Sequence, residues 1–298
     1  MRSALSVVCA LALGLIAPAL AAQSVHYEGG LSVASGKYIY AERTTSWVLT
    51  NGLALSAGPV TIRAMLPVFR QNSVVVTVSS AGPIPTGGAT STSDTGTGGS
   101  GGRGWHPQVV GSHQVAVETD SLAVDSGELV TGVSGYELAV GDPSASMTIG
   151  LLRGAAVGIS ATLGAKAPVT GTDGFGTGEW DLGGSVSLSH RIGFTGLVSL
   201  DVGYWHLGDL PDLDLRDPLL GSLSFAYLST AGWGLGMNAS AASAVIAGYP
   251  NAYQVGLNIN RVGRTGTLGV NIAVGLTDTT PDLTVGLSWR VGLTRPTW

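Results

Sequence analysis

The sequence predicts an all-β chain, a transmembrane antiparallel β-barrel of about 12 strands with one long extracellular loop. Three observations predict it. From Thr267 onward apolar side chains take every second place: Leu268, Val270, Ile272, Val274 and Leu276, then Leu283, Val285, Leu287, Trp289, Val291 and Leu293. Such alternation over about ten residues gives a strand one apolar and one polar face. Only 11% of the residues are charged while glycines number 46, a balance unlike that of a soluble enzyme or a charged disordered tail. Charged residues within the alternating segments fall mostly on the polar parity, where an Arg or Lys avoids the roughly 2–4 kcal/mol cost of facing hydrocarbon at mid-depth.

Taken in order, residues 1–21 read as a cleaved signal peptide. Arg2 starts it, Ala4 to Ala17 is apolar, and Ala19-Leu20-Ala21 supplies small residues for cleavage. The apolar stretch is shorter than the roughly 20 residues of a spanning helix. Cys9, the chain's one cysteine, lies inside it, so the exported portion, 22–298, is expected to hold neither disulfides nor cysteine-ligated metal. Loss of Arg2 takes the net charge from −5 to −6, which argues against nucleic acid as a partner.

The first strand is placed within 25–41. Others are predicted near 46–56, 60–70, 144–152, 155–166, 180–192, 197–207, 219–229, 233–243, 252–261, 267–277 and 283–293. Glycine-bearing tight turns separate them in pairs: Ala57-Gly58-Pro59, Arg153-Gly154, Gly193-Phe194-Thr195-Gly196, Thr230-Ala231-Gly232 and Gly263-Arg264-Thr265-Gly266. Longer connections at 72–136, 168–178, 208–218, 244–250 and 278–282 alternate with those turns, as outside loops alternate with periplasmic turns in this class. Both chain ends on the periplasmic side require an even strand number. Within 72–136, residues 81–105 are too rich in Gly, Ser and Thr to offset ordering, which predicts a mobile outside loop. Its valine-rich flanks, Val74 to Val78 and Val115 to Val117, are read as extensions of the neighbouring strands. Trp233 to Gly248, apolar enough to suggest a membrane helix, is interrupted by turns and carries Asn238 and serines on alternate places, which favours a strand.

Several segments resemble a family of outer-membrane barrels named after the meta-pathway of phenol degradation. They are Gly141-Asp142-Pro143, the stretch from Leu163 through Lys166 and Pro168 to Gly171, the stretch Gly176-Thr177-Gly178-Glu179-Trp180-Asp181, and Gly275-Leu276-Thr277-Asp278-Thr279-Thr280-Pro281-Asp282. The resemblance covers about 137–293. It implies a roughly 12-stranded barrel that moves small molecules, apolar or aromatic compounds among them, and it supplies no catalytic residues.

The inward faces are mostly Gly, Ser, Thr, Ala and Asn, small enough to leave a watery path through 12 strands. The lumen candidates are Arg63, Lys166, Arg191, Asp201, Asn258, Asn271 and Arg290. These charges either pair within a structural lumen or set ion selectivity; in the second case Lys166→Glu or Arg191→Glu shifts the reversal potential. Tyr204, Tyr227, Trp233 and Tyr253 are expected at the membrane interfaces. Gly174-Phe175-Gly176-Thr177-Gly178 lacks the Lys-Ser/Thr and the helix of a phosphate loop. Asp209, Asp212, Asp214 and Asp217 form an acidic loop read as solvated, so no metal and no cofactor are expected.

The function these features predict is a channel or facilitator for passive passage of small solutes in the bacterial outer membrane. Its partners would be outer-membrane lipid and lipopolysaccharide, the barrel-assembly machinery that reads a terminal aromatic such as Trp298, and the solute. Two alternatives remain. One is a surface adhesin or structural barrel acting through its loop; the other is a membrane-embedded hydrolase, for which His206 with Asp209, and His113, are formal candidates.

Overall fold

In the computed structural model the described residues are 24–40, 42–72, 76–80, 82–85, 137–169, 177–210 and 213–293. The signal-peptide reading, residues 86–136 of the long loop with His113, and Trp298 lie outside them. The strands are β1 (Ser24–Gly36), β2 (Thr44–Ala57), β3 (Val60–Gln71), β4 (Thr77–Ser79), β5 (Gly82–Ile84), β6 (Glu137–Val140), β7 (Ser144–Arg153) and β8 (Val157–Lys166). They continue as β9 (Asp181–Ile192), β10 (Gly196–His206), β11 (Leu219–Leu228), β12 (Trp233–Ala242), β13 (Ala252–Val262), β14 (Gly266–Gly275) and β15 (Leu283–Gly292).

All barrel pairings are antiparallel, and β1 pairs with β15 from His26 against Gly292 to Ser35 against Leu283. That seam closes the sheet and leaves no open edge. Strands β6 and β7 share β3 as their partner, β6 against Val68–Gln71 and β7 against Val60–Met65. They form one interrupted stave, so the cylinder has 12. The break falls at Gly141-Asp142-Pro143, because Pro143 has no N–H to give the ladder. There Gly141 N donates to Pro67 O at 2.8 Å.

The first strand occupies Ser24–Gly36, starting one residue before the window of 25–41, where the alternation is weakest. One boundary moves for a physical reason. The segment expected from 155 begins at Val157, because the register of β7 shifts between Gly150 and Leu152. The extra residue, Leu151, bulges outward, and residues 154–156 make the reversal. The other turns lie where glycine places them. At the tightest, Ala57 pairs with Val60, and Gly58 takes φ 55°, a left-handed conformation costly for other residues.

Alternation sorts the faces as the sequence requires. A row of directly paired outward residues, Val198, Phe225, Met237, Leu257, Ile272, Val285, Val33 and Trp47, runs across eight strands. Most are exposed, with Leu257 at 61% and Met237 at 55%. A water-soluble protein rarely presents an apolar patch beyond a few hundred Å². Among the described residues no helix is long and apolar enough to cross a membrane; the crossing elements are strands. Tyr204 and Tyr253 stand near the long-loop end of the outer face, and Tyr227 and Trp233 near the short-turn end. The Arg261 guanidinium lies 5.3 Å from the Trp233 ring centroid, so this outward cation has an aromatic partner where the strand ends.

The valine-rich start of the long loop does not extend β3 as expected. Thr77–Ser79 turns back on Gly82–Ile84 as a separate hairpin, and the strand lengthening β3's ladder is β6. Val115 to Val117 lie outside the described residues. The hairpin folds over the long-loop mouth, where Ile84 is buried with Leu207, Leu215 and Ile246 against Trp205, Leu213, Val245 and Tyr249. Hydrogen bonds hold it as well: Gln71 Nε2 donates to Val76 O at 2.9 Å, Ser80 N to Asp181 Oδ2 at 2.8 Å, and Tyr40 Oη to Pro85 O at 2.8 Å.

Candidate functional site

Beneath that hairpin the lumen opens into a cavity of about 720 Å³. Its lining comes from opposite walls, with Ser46, Thr50 and Phe69 on β2 and β3 facing Asp201, Trp205 and Ser222 on β10 and β11. Val76 and Pro83 of the hairpin segment line it too. Serine and threonine hydroxyls alternate there with Ala, Pro, Val, Leu, Phe69 and Trp205, and the surface a solute meets is more apolar than polar.

Larger inward side chains lie along the wall. Four inward asparagines each face a glycine directly across the ladder: Asn258 opposite Gly236, Asn238 opposite Gly256, Asn260 opposite Gly269 and Asn271 opposite Gly286. A Cβ on any of these glycines would strike the facing amide. The amides therefore rest on bare backbone, and Asn260 Nδ2 donates to Asn258 Oδ1 at 2.8 Å along the wall. Trp205 uses the same device. It pairs with Gly183, which pairs with Gly164, and a Cβ at Gly164 would come within 2.7 Å of the indole. The ring lies flat on two glycines with one face toward the cavity. Gly164→Val should push it inward without a backbone clash. Its fluorescence should then become more accessible to acrylamide, a change that should vanish in a Trp205→Phe background.

The lumen candidates separate into distinct environments. Asp201 sits at mid-height and accepts hydrogen bonds from Ser187 and, at 3.2 Å, from Ser222 Oγ, so flanking strands solvate its carboxylate. Arg63 and Arg290 converge near the short-turn end on one partner, Glu28. Arg63 Nε lies 3.1 Å from Glu28 Oε2, and Arg290 Nε lies 2.8 Å from Oε1. Two guanidiniums share one carboxylate there, leaving one uncompensated positive charge. Arg191 occupies an inward place beside the turn at 193–195, and its side chain is exposed.

Lys166 is different. It ends β8 at the long-loop mouth, where Nζ donates to Asp142 Oδ2 at 3.1 Å and Thr177 Oγ1 at 2.8 Å and stands 3.6 Å from Asp181 Oδ2. The side chains of Lys166, Asp142 and Asp181 are 6%, 2% and 0% exposed, so this charge is committed to two carboxylates rather than open to the lumen. The carboxylates then reach further: Asp142 Oδ1 accepts from Val169 N at 3.1 Å, and Asp181 Oδ1 accepts from Gly208 N at 3.2 Å. With Ser80 on Asp181, one ion cluster ties the hairpin and three connections together.

Glu28, Trp205, Asp142, Asp181 and the hairpin are absent from the lumen set that inward parity predicts, and the signals for them differ. Asp142 and Asp181 lie inside the motifs that carry the family resemblance, each next to the segment of Lys166. Trp205 is visible as an aromatic on the polar parity beside outward Tyr204. Glu28 sits in the strand with the poorest alternation.

The loop aspartates do not gather. Asp209 Oδ1 accepts from Leu215 N at 2.7 Å, Asp217 lies on the other side of the loop, and Asp212 is outside the described residues. Among the described residues no group of three His, Cys, Asp or Glu is placed to hold a metal ion. His206, considered with Asp209, instead bonds Asp217 at 3.1 Å, because Asp209 is turned to the backbone of its own loop. Tyr204 Oη also donates to Asp217 Oδ2, at 2.6 Å. The Tyr204 hydroxyl first, and then His206, hold the Asp217 carboxyl below its usual pKa. Their contribution is present above the ordinary carboxylate range and is lost as pH falls through the lowered value. At the same mouth, burial, reinforced by Asp282, pushes the Tyr38 phenol up to about 12.

No family model and no curated relative matches the chain. Among solved structures it is similar to an outer membrane channel from Pseudomonas putida F1, with a TM-score of 0.61 at 12% identity, over 91% of this chain and 95% of that one. A monoaromatic hydrocarbon channel, CymD, covers 91% of this chain and 89% of its own at 10% identity, with a TM-score of 0.46. The toluene transporter TodX of P. putida covers 93% and 92% at 11% identity, with a TM-score of 0.42. The first of these likenesses shows that the chain has the fold of an outer-membrane barrel.

Proposed function

We infer that the chain is an outer-membrane channel through which small solutes pass by diffusion, without catalysis. One observation carries this reading: a closed 12-stave barrel holds a cavity of about 720 Å³ lined from opposite walls by mostly small side chains, hydroxyls interleaved with apolar groups. Eight-stranded barrels fill such space with side chains, whereas here Trp205 is folded back on Gly164 and Gly183 at the cavity wall. The apolar outer face supports placement in lipid, with lipopolysaccharide around the long-loop end and the short turns in the periplasm. Export through residues 1–21 and insertion by the barrel-assembly machinery belong to the same reading.

The segments resembling the phenol-pathway barrels support the finer assignment. Lys166, Asp142 and Asp181, drawn from separate motifs, meet in one buried cluster, and Thr279 and Thr280 of the Thr-Asp-x-x-Pro-Asp turn are buried at the mouth. On this reading apolar or aromatic compounds are among the solutes, with the exposed face of Trp205 as a contact inside the cavity. The test is reconstitution: planar-bilayer conductance, with liposome uptake of neutral sugars and of monoaromatic solutes. Expected are discrete conductance steps and solute uptake above protein-free vesicles. Absence of both would overturn the channel reading, and uptake of sugars without any of aromatics would remove the finer one.

A further inference from the structure

The charges of the barrel are sorted along its axis. Among the described residues, Arg63, Arg153, Arg191, Arg261, Arg264 and Arg290 cluster at the short-turn end against a single carboxylate, Glu28. Four of them occupy inward places. Arg63 and Arg290 bracket Glu28, Arg191 follows the inward parity of Ser187 and Ser189, and Arg153 is turned inward by the bulge, so that a Cβ at Gly150 would lie 2.6 Å from its Nε. The long-loop end has the opposite sign. There the described residues carry ten carboxylates, Asp142, Asp181, Asp209, Asp217, Asp278 and Asp282 among them, against five lysines and arginines. Asp201 stands between the two ends.

Strands of about ten residues at roughly 3.3 Å per residue set these ends some 25–30 Å apart along a tilted wall. The Debye length is about 10 Å at 0.1 M salt. Each end therefore acts on nearby ions before the other is felt, and the two do not cancel. We propose that the lumen is an ionic rectifier, acidic at the long-loop mouth and basic at the short-turn mouth; this rests on the channel reading above. The sign follows from which ions each mouth admits. With the long-loop side positive, cations enter through the acidic mouth and anions through the basic mouth, and both accumulate in the lumen. With the polarity reversed, each mouth must admit the ion it repels, and the lumen is depleted. Current is larger in the first case. An uncharged solute crosses both fields without preference.

Current–voltage curves of single channels in 0.1 M and 1 M KCl test this. Orientation is read from the chamber in which a bulky maleimide blocks an Asp278→Cys, Cys9→Ser variant. Expected is an asymmetric curve at 0.1 M, larger with the long-loop side positive, and a nearly linear one at 1 M, where the Debye length falls to about 3 Å. Glu28→Gln should increase the asymmetry, and Arg191→Glu, an exposed side chain whose loss leaves the fold intact, should reduce it. Linear curves at 0.1 M from channels that conduct, or asymmetry of opposite sign, would overturn the rectifier and leave the channel standing. No conductance, either from the full chain or from a variant with its mouth hairpin released, would overturn both.

Discussion

Lys166→Met should cost the folded barrel about 3–5 kcal/mol, the largest stability loss expected of any single substitution here. The side chain is close in volume, so the loss is electrostatic. It would leave the carboxylates of Asp142 and Asp181, 2% and 0% exposed, facing each other without their cation. Two buried carboxylates that lose their cation are far more costly than a missing exposed ion pair, which contributes about 0–1 kcal/mol. Arg43 with Asp282, at 2.8 Å and about half exposed, supplies that comparison, so Arg43→Met should cost little. Denaturant unfolding in detergent micelles, followed by tryptophan fluorescence, measures both. Equal midpoints for the two variants would show that the buried cluster is not what holds the mouth. Adding Asp142→Asn to Lys166→Met should recover part of the loss, since the second change removes one of the stranded charges.

Ile84→Asp should open the channel. Ile84 is 3% exposed and packs with Leu207, Leu215 and Ile246. A carboxylate there must either be buried without a partner, at a cost of several kcal/mol, or carry the β4–β5 hairpin out into water. The staves do not depend on the hairpin, which pairs only with itself, so the barrel should stay folded while its mouth widens. A several-fold rise in single-channel conductance with an unchanged β-sheet circular dichroism spectrum is the expected outcome. Unchanged conductance would mean that the hairpin does not constrict the path.

Much of the cylinder is legible in the chain because a barrel strand is a local pattern. Its period-two alternation depends on one apolar and one polar environment and needs no knowledge of neighbours. That is why β9 to β15 are delimited closely from residues alone. β1 is harder to place because Gly29 and Gly30 interrupt the alternation, and the outward Gly29 makes room for the Trp289 ring from the neighbouring strand. The bulge at Leu151 is hidden for a related reason, since an extra residue looks like continued alternation until the partner strand is known.

The inside of the barrel is less legible, since its chemistry is written between strands. That Arg63 and Arg290 face inward follows from counting; that both reach Glu28 follows only from the pairing of β1 with β15 and of β2 with β3. Each asparagine opposite a glycine likewise becomes a pair only once the register is fixed. The hairpin fold over the mouth depends on apolar contacts with residues more than a hundred positions away, and its short valine-rich sequence carries no local trace of them.

The seam between the first and last strands constrains how this molecule comes into being. His26 meets Gly292 and Ser35 meets Leu283, so the ladder joins residues from opposite termini of the polypeptide. Until β15 has been made and delivered, every partial sheet presents two raw margins of unpaired N–H and C=O groups. Stepwise maturation from the amino terminus therefore yields nothing self-sufficient. Contacts of such long separation form slowly, and the nascent form has to be shielded from neighbouring copies throughout that wait.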